Sequence, residues 1–266
     1  MAIVTRRAGD LVYFADEQIP VPHAFTTRLG GVSAGIYESL NLSVRSRDDR
    51  AAVAENYDRL AALLGSRKED MVFYRQVHGT AVHVVGPEDR LGDIFRLADM
   101  EGDGFATREK DVTLAVFAAD CIPILFWDKL TGAVAAVHSG WRGTAQDIAG
   151  RAVEILCSFA SSSMHIRAAI GPGIGTCCFE TGSEVPEALR ETLGSEAADC
   201  IRSGVSGKYM VDLKEANRRL LLRAGLLPEH ISVSPHCTMC EPELFWSHRF
   251  TEGKRGSQGA FIRMGG

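Results

Sequence analysis

Two short apolar segments joined by a turn constrain this chain more than any other feature. Ala118-Ala-Asp-Cys-Ile-Pro-Ile-Leu-Phe126 precedes Ala133-Val-Ala-Ala-Val-His-Ser-Gly-Trp-Arg-Gly-Thr144, with Asp128-Lys-Leu-Thr-Gly132 between them. Val, Ile, Leu and Phe dominate both segments, so both read as β-strands, and the Asp- and Gly-containing stretch supplies turn chemistry. Such a hairpin brings Cys121 and His138 side by side. A thiol beside an imidazole serves either as an activated nucleophile or as a pair of metal ligands.

The remaining pattern mixes strands and helices without regular βαβ alternation. Leu11–Phe14, His23–Thr27, Met71–Val77, Ala81–Val85, Val112–Ala118, Ile166–Ile170 and Ile231–Ser234 are strand-like. Residues 48–64 carry helical spacing, with Val53, Tyr57, Leu60 and Leu64 on one side, and Gly65 stops the helix. Thr144–Phe159 reads as one helix, followed by helices over 185–193 and 213–224. Residues 86–104 read as polar and turn-rich. The expectation is an α+β (mixed α/β) fold, with residues 1–266 forming one domain of two packed mixed sheets flanked by helices.

Hydrophobic residues make up 45% and charged residues 24% of the chain, as in ordinary globular proteins. A formal net charge of -5 gives no general attraction to nucleic acid or anionic membranes. The longest apolar run, around 114–127, is cut by Asp120 and Pro123 and is no membrane span. No apolar signal core follows the first residues. Seven cysteines are an odd count for a disulfide framework and suit a reducing compartment. A cytoplasmic protein with no nucleic-acid or membrane partner is expected.

His78, at the end of a predicted strand and before Gly79, joins Cys121 and His138 as a third residue able to reach the same rim. Two His and one Cys suit zinc. Three protein ligands leave a fourth position open, the pattern of catalytic sites, where zinc lowers the pKa of water to about 7. With a weak axial group the same set suits copper. A cysteine-nucleophile reading needs only Cys121 and His138, with Asp120 or a nearby amide as orienting group.

Cys237-Thr-Met-Cys240 lacks an evident second pair, so it does not read as a structural zinc site. Cys177-Cys178 reads as loop packing. None of the eight histidines has Glu two residues on, which disfavours the zinc nucleobase deaminases. Arg142, at the start of the predicted helix at Thr144, is the candidate anion site. Arg28 and Asn41, from the Gly-rich N-terminal region, are candidates for ribose or phosphate contacts.

At these residues the chain resembles the YfiH-type family, also called laccase-domain or polyphenol oxidase-like proteins. The matching words are Thr27-Arg-Leu-Gly-Gly-Val-Ser33, Ser39-Leu-Asn-Leu42, Arg75-Gln-Val-His-Gly79, Ala119-Asp-Cys-Ile-Pro-Ile124, Ala136-Val-His-Ser-Gly-Trp-Arg-Gly-Thr144, Ile170-Gly-Pro-Gly-Ile-Gly175, Cys177-Cys-Phe-Glu180, Cys237-Thr238 and Gln258-Gly-Ala-Phe-Ile262. They run in order over nearly the whole chain. One departure is His248, where the family usually has Tyr. The resemblance implies two mixed sheets flanked by helices and a metal held by His78, Cys121 and His138, and these three are also the expected catalytic residues. Gln76, within a matching word, joins Arg28, Asn41 and Arg142 as an expected substrate contact.

The resemblance further implies phosphorolysis of adenosine, inosine and methylthioadenosine, together with adenosine deamination. The partners are then purine nucleosides and phosphate, the cofactor zinc with copper as the alternative ion, and the expected state a monomer. Two other readings stay open. One is a Cys–His hydrolase of the cytotoxic necrotizing factor type acting on a peptidoglycan precursor. The other is a polyphenol oxidase with a single copper. A full multicopper centre needs more histidines than the eight present, and these include no His-X-His pair.

Overall fold

A computed structural model describes residues 2–96 and 100–265. Residues 97–99 of the turn-rich 86–104 stretch, and positions 1 and 266, lie outside the described residues.

Four layers build the molecule. The first sheet runs in the order Ile3–Ala8, Leu11–Asp16, His23–Thr26, Gln258–Arg263, Thr113–Ala118, Met71–Val72. It is antiparallel except for the last pairing, which is parallel. The second sheet has the order Ile231–Val233, Ile166–Ile170, Ile122–Asp128, Val134–Ser139, Gly104–Thr107, Val82–Val84 and is also mixed. The sheets face each other across Phe14, Phe25, Leu114, Val116, Phe105, Leu125 and Ala169, all buried. The helix Arg50–Leu63 covers the outer face of the first sheet through Val53, Tyr57 and Leu60. The helices Ile148–Ser158, Glu184–Leu193 and Leu213–Arg223 cover the second. Burial on both faces explains why the central strands read as unbroken apolar runs rather than as alternating ones.

The expected hairpin forms: Ile122–Asp128 pairs antiparallel with Val134–Ser139, and Pro123 stands opposite His138. Elsewhere the details differ from expectation. Met71–Val77 is a strand only at Met71–Val72; the chain then crosses from one sheet towards the other, with an isolated bridge between Arg75 and Glu101. The single helix expected over 144–159 is two, Trp141–Ala145 and Ile148–Ser158. Asp147 divides them: it adopts φ 59°, and its carboxylate accepts from the Gly150 N–H as the cap of the second helix. The edge strand Ile3–Ala8 escapes a hydrophobic-pattern search because its middle is Thr-Arg-Arg. A small third sheet, Glu180–Thr181, Tyr209–Val211 and Ile201–Ser203, is similarly too short and polar to announce itself.

Candidate metal centre and substrate cleft

Cys121 sits just before one hairpin strand and His138 near the end of the other, so the hairpin register alone sets their proximity. His78 comes from the crossing between the sheets. The ligand-capable atoms of His78, Cys121 and His138 all lie within 4.8 Å of one another, and the two imidazoles meet edge-on with centroids 4.9 Å apart. Gly140 closes in from below: a Cβ there would stand 2.8 Å from His78 Cδ2 and 3.2 Å from Cys121 Sγ. Only glycine leaves room for this arrangement.

Asp103 organises the set. It is fully buried, and its carboxylate accepts N–H bonds from Val77 (3.0 Å), His78 (2.9 Å) and Gly79 (2.9 Å). Three successive amides turned on one carboxylate hold His78 at φ 61°, a left-handed conformation that non-glycine residues rarely adopt. The same carboxylate binds His138 Nδ1 at 2.8 Å, and the His138 N–H donates to the Asp103 carbonyl. With Nδ1 occupied, the other ring nitrogen of His138 is left to face the cleft. A carboxylate behind a histidine is the usual support of a metal-binding imidazole.

The electrostatics follow from this packing. Burial alone would push the Cys121 thiol up, but the charge on His138 and hydrogen bonds from His138 and His78 outweigh it and bring the thiol down to about 6. Burial likewise opposes charge on His138, yet the Cys121 thiolate and Asp103 raise it to about 9. Burial also works against the Asp103 carboxylate; the His138 and amide hydrogen bonds prevail and hold it below the usual carboxylate range. The proton of the Cys121–His138 pair is therefore drawn from the thiol towards His138.

The trio opens into a cleft of about 650 Å³. Phe73, Phe117, Ile174 and Phe179 provide apolar walls, and His248 and Ser257 also line it. Five arginines face it: Arg45, Arg75, Arg96 and Arg249 are exposed, whereas Arg255 is half-buried. Arg75 pairs with Glu101 and Arg249 binds the Glu180 carbonyl. Arg255 uses one terminal nitrogen on the Gly256 carbonyl and Ser257 Oγ, while its buried Nε has no partner among the described residues.

A family model described as multi-copper polyphenol oxidoreductase laccase matches residues 22–265. The chain belongs to that family. It is 43% identical over 242 residues to purine nucleoside phosphorylase YlmD of Geobacillus stearothermophilus, covering 89% of this chain and 88% of that one. It is 38% identical over 229 residues to adenosine deaminase RL5 from an unknown prokaryotic organism, covering 85% and 87%. The crystal structure of the hypothetical protein YfiH from Bacillus licheniformis superposes with a TM-score of 0.92 at 34% identity, over 98% of each chain. These relatives suggest an enzyme.

In this laccase-family chain the structure draws together His78, Cys121 and His138, and it places Gln76 in the cleft wall. The Gln76 amide is spoken for, accepting from the Phe117 N–H and donating to the Phe117 carbonyl, both at 2.7 Å. The other expected substrate contacts lie elsewhere. Arg28 is outside the cleft lining, stacked 3.9 Å over the Trp246 ring and bound to the Pro242 carbonyl. Asn41 is fully buried behind the wall, bonded to Ser46, Asp48 and the amides of Ser43 and Ser257. Arg142 is exposed and lies over its neighbour Trp141, because the short helix Trp141–Ala145 turns it away from the cleft.

Asp120 is not the orienting group either. Its carboxylate is taken by Thr238 Oγ1 (2.6 Å) and the Arg249 N–H (2.7 Å), which hold it at φ 95°. The orienting carboxylate is Asp103, whose only sequence signal is its place between two glycines before a strand. Arg255 carried no sequence signal at all. The reading of the remaining cysteines is also corrected. Cys177, Cys178, Cys237 and Cys240 form one cluster, so the Cys-X-X-Cys pair does have a second pair, lying about 60 residues upstream. No helix among the described residues is long and apolar enough to cross a membrane.

Proposed function

We propose that the chain is a zinc-dependent purine nucleoside phosphorylase, acting on adenosine, inosine and methylthioadenosine, with adenosine deaminase activity. The observation that carries this reading is the three-donor set at the floor of an apolar cleft that also holds a half-buried arginine. The likeness to a phosphorylase and to a deaminase supports it. The donors suit a borderline ion: one thiolate and two imidazoles, backed by the Asp103 carboxylate, with room above for substrate. A divalent ion bound there supplies Lewis-acid charge and lowers the pKa of water.

The chain's own groups account for the rest. The phenyl and Ile174 walls take the flat purine and exclude water from it. Arg255, half-buried in the cleft lining, holds the phosphate dianion beside the ribose. Arg thus replaces a hydrated counter-ion with directed N–H donors. Phosphate attacks the anomeric carbon as the N-glycosidic bond breaks, and the departing base takes a proton from solvent; the products are the free base and ribose 1-phosphate, or 5-methylthioribose 1-phosphate from methylthioadenosine. Deamination instead adds water to the purine and releases ammonia, giving inosine from adenosine. His138 keeps the Nδ1 proton that it donates to Asp103, and must release the proton on its other nitrogen to act as a ligand. Seven cysteines, none of them in a disulfide among the described residues, support a cytoplasmic location.

Purified protein incubated with adenosine and phosphate is expected to form adenine and ribose 1-phosphate, plus inosine whether or not phosphate is present. Failure to form either adenine or inosine overturns the proposal. The Asp103–His138–Cys121 order favours one second reading, a cysteine hydrolase acting on a peptide or amide. That reading requires a covalent adduct on Cys121 during turnover after exhaustive chelation.

A further inference from the structure

Away from the cleft floor, four cysteines converge from two loops. Cys177 and Cys178 follow the glycine-rich turn after strand Ile166–Ile170, and Cys237 and Cys240 follow strand Ile231–Val233. Their sulfurs all lie within 4.8 Å of one another, with Cys178–Cys240 at 3.3 Å and Cys177–Cys240 at 3.5 Å. These contacts are far longer than the roughly 2.05 Å of a disulfide. They match thiolates sharing one ion: sulfurs about 2.3 Å from a tetrahedral centre stand about 3.8 Å from each other. An iron–sulfur cluster would hold its cysteines further apart, around an inorganic core.

From these contacts we propose that Cys177, Cys178, Cys237 and Cys240 form a second, tetrathiolate metal site that binds zinc. Two further observations fit a cluster of thiolates. The Gly175 N–H donates to Cys237 Sγ at 3.1 Å. Lys214 is only 6% exposed and bonds the carbonyls of Ser234 and His236, beside the loop that carries Cys237. A buried ammonium is costly unless negative charge lies nearby; Cys237 and Cys177 act on Lys214 together with the Asp212 and Glu241 carboxylates, and a zinc bound by four thiolates carries net negative charge.

The site's role is to brace. The loop with Cys177 and Cys178 also carries Ile174 and Phe179 of the cleft wall. The loop with Cys237 carries Thr238, which holds Asp120 next to Cys121. The loops already meet at the Gly173–Cys237 bridge, and an ion clamps them there. With every position filled by sulfur, no place remains for substrate.

The test counts metal with the first site removed. The variant His78→Ala/Cys121→Ala, purified under reducing conditions, is weighed by native mass spectrometry and analysed for zinc. About one zinc per chain is expected there, against about two in the unaltered protein. Adding Cys177→Ser/Cys240→Ser abolishes it. Should that combination fail to fold, cobalt loaded into His78→Ala/Cys121→Ala gives the second readout. Strong thiolate-to-cobalt charge-transfer bands with tetrahedral d–d bands are expected. The proposal is overturned if His78→Ala/Cys121→Ala binds neither zinc nor cobalt while four thiols stay reactive. An intact mass showing disulfides among these four cysteines in place of metal overturns it equally.

Discussion

The two candidate metal-binding clusters of this chain differ in donor number, in support and in what lies beyond them. His78, Cys121 and His138 are three donors at the ends and crossings of core elements, fixed by a fully buried carboxylate and open to a cleft. The four cysteines are loop residues, two of them exposed, with their sulfurs gathered on one another. An incomplete donor set on rigid elements leaves a position for chemistry; a complete set between loops joins segments. The two clusters lie close in the fold: Thr238, next to Cys237, bonds Asp120, next to Cys121.

The largest effect expected from breaking the comparison comes at the open site. Cys121→Ala removes a ligand and lowers phosphorolysis and deamination together by more than about 100-fold, the upper effect of losing a mere supporting group. Product assays with metal analysis check this, and a variant that keeps both activities contradicts it. Arg255→Ala separates the two reactions. It raises the KM for phosphate by about 10- to 100-fold, the range for one charge-assisted hydrogen bond, and leaves deamination near normal. An equal loss in both would place Arg255 elsewhere in the mechanism.

Asp103→Asn keeps the size but puts a donor where the three amides and His138 need an acceptor. Zinc affinity at the open site falls by about 10- to 100-fold, measured by competition with a chelating dye. Cys177→Ser/Cys240→Ser sharpens the contrast from the other side. It keeps the open-site metal but lowers the melting temperature by roughly 4–8 °C, a loss of about 2 kcal/mol for a chain of this size. The smallest effect concerns protonation. After chelation, alkylation of Cys121 should reach half its maximal rate near pH 6, because the thiol is held low and protonates only below that. An ordinary thiol would do so near pH 8.5.

The open site was legible in the sequence because two of its candidate ligands, Cys121 and His138, sit at β-strand ends, where period and turn chemistry fix position. Hairpin register brings Cys121 to His138 with no long-range information. His78 was less secure from pattern alone, since the predicted strand Met71–Val77 breaks after Val72 and the chain crosses between sheets. Asp103 and Arg255 were invisible because each acts through tertiary contacts: one turns three amides and an imidazole onto itself, the other enters the cleft from a loop before the final strand. Arg142 misled for the complementary reason. A helix start suggested an anion site, but Asp147 splits that helix, and the remaining turn directs Arg142 to solvent. The cysteine cluster failed the local spacing test because its halves lie on loops that follow two separate strands joined by a parallel pairing.

Metal-dependent nucleoside chemistry at the open site is decided by a single set of product assays. Adenosine and phosphate are given to the protein as purified, after chelation, and after return of zinc or of copper, with all products quantified. The expected result is adenine, ribose 1-phosphate and inosine from the purified protein, loss of all three on chelation, and recovery with zinc. Undiminished product formation after chelation has emptied the His78–Cys121–His138 site, or no adenine and no inosine from zinc-loaded protein, would contradict the account.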